Sequence, residues 1–289
     1  MKPPPFSYHD PTSVQEVVAL LGNLENAKVL AGGQSLMPML NMRYVLPDHI
    51  IDLNKVEGLS FIREAENAIQ IGAMTRQREL EFSEIIKKKC PLMYEAIFQI
   101  GHRQTRNRGT IGGSLSHLDP AAELASVCSA LDAVIVATGE NGSKEIPFFD
   151  FPVAYMTPAL ELDEIVTEIR MPVWPEGHGY AFVEFARRHG DFAITSAAVL
   201  LEVDVDGKIS RSSVTIGGVA AAPVRMTEIE TSLIGLVPNE EKFREICEVC
   251  RGIEALGDVY ASTEYRQHLA TVLSRRALVK AYERAKNER

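Results

Sequence analysis

Two short runs of small residues hold most of the chemistry this sequence could do. They are Ala31-Gly32-Gly33-Gln34-Ser35-Leu36, entered from Leu30, and Thr110-Ile111-Gly112-Gly113-Ser114. Each sets paired glycines after a strand-like or extended stretch. Glycine lacks a Cβ and tolerates positive φ, so its N–H can approach a ligand closely. Successive N–H groups in such a bend form a nest for anionic oxygens. A helix starting near Ser35 would add the positive end of its dipole, and Ser35, Thr110 and Ser114 offer neutral hydroxyl donors. The chemistry suggested is the holding of a phosphate or diphosphate. Either run alone is weak, since Gly-Gly after a strand is commonly only a turn; Gly217-Gly218 is assigned no function. The chain has no G-x-G-x-x-G and no G-x-x-x-x-G-K-[ST], so neither a Rossmann site nor a P-loop is supported.

The remaining candidates divide between structure and chemistry. Thr75 follows a strand and either caps the next helix or touches the phosphates. His117 stands in a loop with no identified partner and reads as structural, though it could lie near a bound group. Glu123 by position alone reads as a solvated helix residue. His102, Arg103, Arg106 and Arg108 form a basic cluster that either attracts phosphates or pairs with acidic surface. Cys247-x-x-Cys250 lacks the second soft pair that zinc or an iron–sulfur cluster needs, so both cysteines are read as buried or half-buried helix residues, with no cluster or metal in this chain. No nucleophile–base pair stands out.

These residues must be positioned by an ordinary folded chain: 289 residues, 46% apolar and 24% charged, enough for a sizeable core. The net charge of −9 argues against nucleic acid, which needs a basic face. Only the tail gathers cations (Arg275, Arg276, Lys280, Arg284, Lys286, Arg289), and with Glu283 and Glu288 it reads as a solvated helix face. No run reaches the ~20 apolar residues of a membrane span. The first residues lack a secretory apolar stretch, so the expected location is cytoplasmic.

Ser13-Val14-Gln15-Glu16 matches a capping box and starts a helix ending near Gly22. Strands are expected at 28–31, 49–53, 68–73 and 133–137, with a brief helix over 35–41 interrupted by Pro38. A longer helical region covers 83–100, an extended stretch 102–120, and a helix 121–131. Val199 to Ile209 carries a hairpin turn at Asp206-Gly207. From Thr227 onward the pattern is helical. The fold class read from this order is α+β.

With their flanks, the two runs resemble one family. Ala31 to Pro38 and Arg106 to Leu124 are similar to the FAD-binding signatures of the medium subunit of aerobic carbon monoxide dehydrogenase, which is also the flavin domain of xanthine dehydrogenase. Arg187-Arg188-His189-Gly190-Asp191-Phe192-Ala193 resembles a third segment, and the likeness covers essentially the whole chain. It implies a two-lobed FAD-binding region of the vanillyl-alcohol-oxidase/PCMH type over residues 1–176, its lobes meeting near 55–60, then an α+β C-terminal domain over 177–289. It also implies one non-covalent FAD whose pyrophosphate is wrapped by both runs, with Glu123 on the adenosine ribose and Phe192 either against the isoalloxazine or a plain core aromatic. Molybdopterin and two [2Fe–2S] clusters would sit on a large and a small partner subunit, in a heterotrimer or a dimer of heterotrimers. Two departures are visible: Ser114 where the family usually has Asn, and Val183 where some relatives have a basic residue near the flavin.

The resemblance implies electron transfer from the partner's clusters through FAD to a quinone, NAD or oxygen, the redox chemistry being the cofactor's. Two other readings stay open: a self-sufficient flavin oxidase or reductase, for which the last ~110 residues look short of a substrate pocket, and a non-enzymatic assembly subunit with degenerate turns.

Overall fold

Ser13 starts the first helix as its spacing predicts: its hydroxyl accepts from Glu16 N–H, while Glu16 reaches back one residue further, to Thr12 N–H. The computed structural model describes residues 1–287; Glu288 and Arg289 of the basic tail lie outside them. Strand β1 (Ser7–His9), helix α1 (Val14–Asn23), β2 (Ala27–Leu30), α2 (Leu36–Asn41) and β3 (His49–Asp52) build a parallel three-stranded sheet in the order β1-β3-β2. Val17 of α1 packs against Ile51, Leu53, Val56 and Leu59 beneath it. Pro38 does not interrupt α2. It occupies the first turn, where its missing N–H has no intrahelical partner to lose.

The chain continues through β4 (Ile62–Ala65), β5 (Ala68–Gly72), α3 (Gln77–Phe82), α4 (Glu84–Lys89), α5 (Pro91–Ile97), α6 (Arg103–Arg108), α7 (Ile111–His117) and α8 (Glu123–Ala130). It returns by β6 (Val134–Gly139), β7 (Gly142–Pro147), the small β8 (Pro152–Ala154) and β9 (Thr157–Pro158), and β10 (Ile165–Pro172). A five-stranded antiparallel sheet results, β4-β5-β10-β6-β7, with a core that includes Ile71, Leu92, Leu115, Leu124, Ile135 and Ile169. Two expectations change here. The helical region 83–100 breaks at Cys90-Pro91, because proline starts a new helix at its first position. The stretch 102–120, expected extended, contains α6 and α7; Thr110 caps α7, accepting from Gly113 N–H at 3.1 Å.

The C-terminal domain holds β11 (Gly179–Phe185), β12 (Thr195–Val203), β13 (Ile209–Gly217) and β14 (Val224–Arg225), then α9 (Thr227–Leu233), α10 (Glu240–Cys247) and α11 (Thr263–Asn287). The β12–β13 turn carries Gly207 at φ +82°, as Asp-Gly predicts. Both faces of this sheet are covered. Ala181, Val199 and Leu201 face a core shared with Ile229, Phe243, Leu273 and Ala277, whereas Phe182, Ala198 and Leu200 join the first domain's core. Alternation along the strands therefore welds the two domains. Cys247 and Cys250 are buried, and burial pushes the Cys247 thiol up to about 12.

Two cations of the expected solvated tail are instead part of that weld. Lys280 and Arg284 on α11 bind Glu95 on α5, which also accepts from Phe182 N–H. Burial opposes ionisation of Glu95, but the Arg284 and Lys280 hydrogen bonds outweigh it and hold the carboxyl below its usual range. The contribution is therefore complete above the ordinary glutamate pKa and fades as pH falls through the depressed folded value. Glu95→Gln should cost about 1–3 kcal/mol at neutral pH. Denaturant melts at stepped pH should converge with the native chain's below the ordinary glutamate range; a pH-independent gap would refute this account.

Candidate functional site

Strand β2 runs straight into the first bend. Gly33 takes φ +72°, a left-handed conformation open to glycine at little cost. Asn54 donates to Ala31 O at 3.2 Å and Gln34 to Gly32 O at 3.1 Å, so side chains fix the bend's carbonyls. Among the described residues, the N–H groups of Gly33, Gln34 and Ser35 have no protein acceptor. Ser35 stands at the start of α2 without using its hydroxyl as a cap. Leu36 is the first residue of α2, and Leu30 packs beneath Gly33.

The second run abuts the first. A Cβ built on Gly113 would stand 3.2 Å from Ala31 Cβ and 4.0 Å from Gly32 N; one built on Gly32 would fall on the Arg108 carbonyl and stand 2.7 Å from Gly109 Cα. The small residues thus let two separate stretches of backbone meet. Their roles differ, however. Ile111, Gly112, Gly113 and Ser114 N–H groups are engaged by Thr75 O, Ala73 O, Thr110 Oγ1 and Thr110 O. The expectation that both runs offer amides is corrected: the first keeps three without acceptors, and of the second only the N–H of buried Thr110 has none among the described residues. The second supplies close approach, and Ser114 adds a half-buried side chain.

Thr75 does not cap the following helix. Its hydroxyl accepts from Phe61 N–H and donates to Phe61 O, and Arg76 is the cap residue. Arg76 is one that sequence reasoning missed: its guanidinium bridges the Arg108 carbonyl and Asn54 Oδ1, tying the two bends together. Asp52-x-Asn54, an Asx turn after a strand, was the available signal for Asn54. The basic cluster splits. Arg106 is buried and pairs with Glu81 at 3.1 Å, so it is structural, while His102, Arg103 and Arg108 are exposed.

His117 ends α7 half-buried, and burial lowers its pKa despite Asp119 nearby. Glu123 is not solvated. It is 5% exposed at the start of α8, and burial, reinforced by the Glu184 charge, pushes its carboxyl up to about 8. Phe192 is 64% exposed, which removes the core-aromatic alternative. Val183 packs into the C-terminal domain's own core, on the sheet face away from the first domain; Glu184 beside it occupies the opposite face.

Residues 4–174 match the family model described as the FAD binding domain in molybdopterin dehydrogenase, and residues 180–281 match the CO dehydrogenase flavoprotein C-terminal domain. The chain belongs to the FAD-binding medium subunits of the carbon monoxide and xanthine dehydrogenase family. It is 39% identical to the 6-hydroxypseudooxynicotine dehydrogenase complex subunit alpha of Paenarthrobacter nicotinovorans, over 99% of this chain and 97% of that one. It is 35% identical to the carbon monoxide dehydrogenase medium chain of Hydrogenophaga pseudoflava, over 98% and 99%. A solved carbon monoxide dehydrogenase structure from that organism superposes with a TM-score of 0.95 at 36% identity, over 98% of this chain and 99% of that one. As a medium subunit of this family, the chain is an oxidoreductase component with a two-domain FAD-binding fold. Among the described residues, no helix is long and apolar enough to cross a membrane.

Proposed function

We propose that residues 1–176 hold one FAD non-covalently and that the chain carries electrons from an iron–sulfur partner subunit, through that flavin, to an external acceptor, with residues 177–289 closing the site. The observation that carries this reading is the contact between the two bends, one of which keeps three N–H groups and a serine hydroxyl without protein partners. A diphosphate is the chemistry such a cradle suits. Gly33, Gln34 and Ser35 would bind it, Ser114 would add a hydroxyl, and Gly32, Gly112 and Gly113 would keep the two backbones close enough to share it. Bound FAD supplies reversible one- and two-electron chemistry that no side chain here possesses. Substrate oxidation then belongs to a molybdopterin-bearing partner, and the location of such an assembly is the cytoplasm.

Phe192 offers an open aromatic face on the segment between β11 and β12, suited to cover a flavin ring. Phe192→Ala should leave the unfolding midpoint unchanged, because the side chain is exposed, yet release FAD about 2- to 10-fold faster, the loss expected for one aromatic stack. Equal release rates would remove Phe192 from the site.

The decisive experiment uses the purified full chain. It should take up one FAD per chain, turn yellow and reduce artificial dyes when supplied with electrons, while oxidising no organic substrate alone. A chain that stays colourless with excess FAD refutes the proposal; substrate oxidation by the chain alone would make it a self-sufficient oxidase or reductase.

A further inference from the structure

The main-chain carbonyls of the two bends, at 31–33 and 108–110, all have donors. Ala31 O accepts from Asn54, Gly32 O from Gln34 and Gly33 O from Met37 N–H at 3.2 Å. Across from them, Arg108 O accepts from the Arg76 guanidinium, Gly109 O from Gln77 N–H at 2.8 Å and Thr110 O from Ser114 N–H at 3.1 Å. The N–H groups of Gly33, Gln34 and Ser35 stay open beside them. A cradle with its acceptors covered and its donors free presents positive partial charge alone. Cover matters most at Arg108 O. That oxygen lies against Gly32, where the bends touch, and without a donor it would repel an anion bound there.

Arg76 reaches both bends from one position. It is half-buried between β5 and α3, and its backbone bridges to Thr110. One terminal nitrogen donates to Arg108 O and the other to Asn54 Oδ1, while Asn54 donates to Ala31 O at 3.2 Å. Both terminal nitrogens therefore meet neutral oxygens rather than a carboxylate. The nearby acids are turned to other donors. Asp52 accepts from the Tyr8 hydroxyl at 2.6 Å and from Asn54 N–H at 2.9 Å, and Glu79 accepts from Arg76's own main-chain N–H at 2.8 Å.

We propose that Arg76, partly through Asn54, is the positioning residue that makes the cradle selective for a diphosphate. Its planar fork fixes the carbonyls at which the two bends meet, and its positive charge stands one carbonyl away from Gly32. The inference rests on the flavin reading above and concerns the phosphate end of that cofactor. Arginine suits the task because its fork serves two acceptors at once and stays charged; lysine offers the charge without the fork.

The experiment is flavin-fluorescence titration of the full chain at several salt concentrations, with each variant kept below its melting onset. Arg76→Met should bind FAD about 10- to 100-fold more weakly. Its affinity should also depend less on salt, because a charge acting on the diphosphate is gone. Arg76→Lys should restore the native salt dependence but only part of the affinity. Asn54→Ala, at an exposed position, should weaken FAD binding and leave the salt dependence unchanged. Riboflavin, which lacks the phosphates, should bind Arg76→Met and the native chain alike. Native FAD affinity in Arg76→Met overturns the proposal, and so does an equal loss of FAD and riboflavin, which would make Arg76 a prop of the fold only. Should Arg76→Met fail to fold, native FAD affinity in both Arg76→Lys and Asn54→Ala overturns it. A native chain that takes up no FAD refutes the functional proposal, and this one with it; variants that hold FAD as the native chain does refute this one alone.

Discussion

Gly112→Val should unfold much of the population before any question of flavin arises, with a loss of about 3 kcal/mol or more. Gly112 lies in the first turn of α7, and its N–H donates to Ala73 O at 2.8 Å. A Cβ there would stand 2.7 Å from the Ala73 carbonyl oxygen and 2.9 Å from Ala73 Cα, and backbone at the end of a central strand cannot move aside as a side chain could. A glycine needed only for close approach to a ligand would give a variant that keeps its fold and loses FAD; the packing against Ala73 makes Gly112 a position of the fold instead. Gly22→Ala is the control. Nothing lies within 4 Å of its Cβ position and it sits within α1, so it should gain roughly 0.5–1 kcal/mol. Denaturant midpoints of the two variants decide the matter: a native midpoint for Gly112→Val would mean that α7 does not rest on Ala73.

That difference shows which layer of the site is legible in a sequence. The residues and their smallness were visible, because Gly-Gly flanked by Ala, Ser and Thr is a chemical statement whatever the fold. What the smallness is for was not. Gly33 serves conformation, Gly32 and Gly112 serve contact between backbones distant in sequence, and such contacts leave no periodic trace. The hidden caps have the same origin. Thr110 reads as a loop hydroxyl until α7 exists for it to cap, and α7 was missed because two glycines in a seven-residue helix lower its propensity by about 1 kcal/mol each. Tertiary packing against Ala73 and Ala31 compensates.

The strands were easier. Val134 to Ala137 and the Asp206-Gly207 hairpin are set by β-branched runs and local turn chemistry, and the structure places strands there. Burial of polar groups was the least legible. Glu123, Glu184, Ser126 and Ser196 look like surface residues in their local windows, and only the packing of one domain's sheet onto the other's helix removes them from water. Lys280 and Arg284 follow the same rule with the opposite sign, since a carboxylate 185 or more residues away gives them a partner.

Arg266→Leu should be the most damaging change far from the flavin cradle, at about 2–5 kcal/mol. Arg266 is 8% exposed. One terminal nitrogen donates to Ile194 O and to Gly218 O, the latter at 2.6 Å, and the other pairs with Asp258 at 2.6 Å. Leucine fills part of the volume but donates nothing, so two main-chain carbonyls in a dry site lose their donor at about 1–3 kcal/mol each. Asp258 is half-exposed and can return to water, which keeps the ion pair itself a minor part of the loss. The consequence reaches the functional site because Gly218 N–H donates to Pro120 O, just before α8, and Ile194 follows the Phe192 segment. The variant should therefore melt earlier and, at temperatures where it is still folded, hold FAD more weakly with faster amide exchange across 190–196. Weakened stability with unchanged exchange in that segment would confine Arg266 to the C-terminal domain's own architecture and cut the link drawn here between that domain and the flavin.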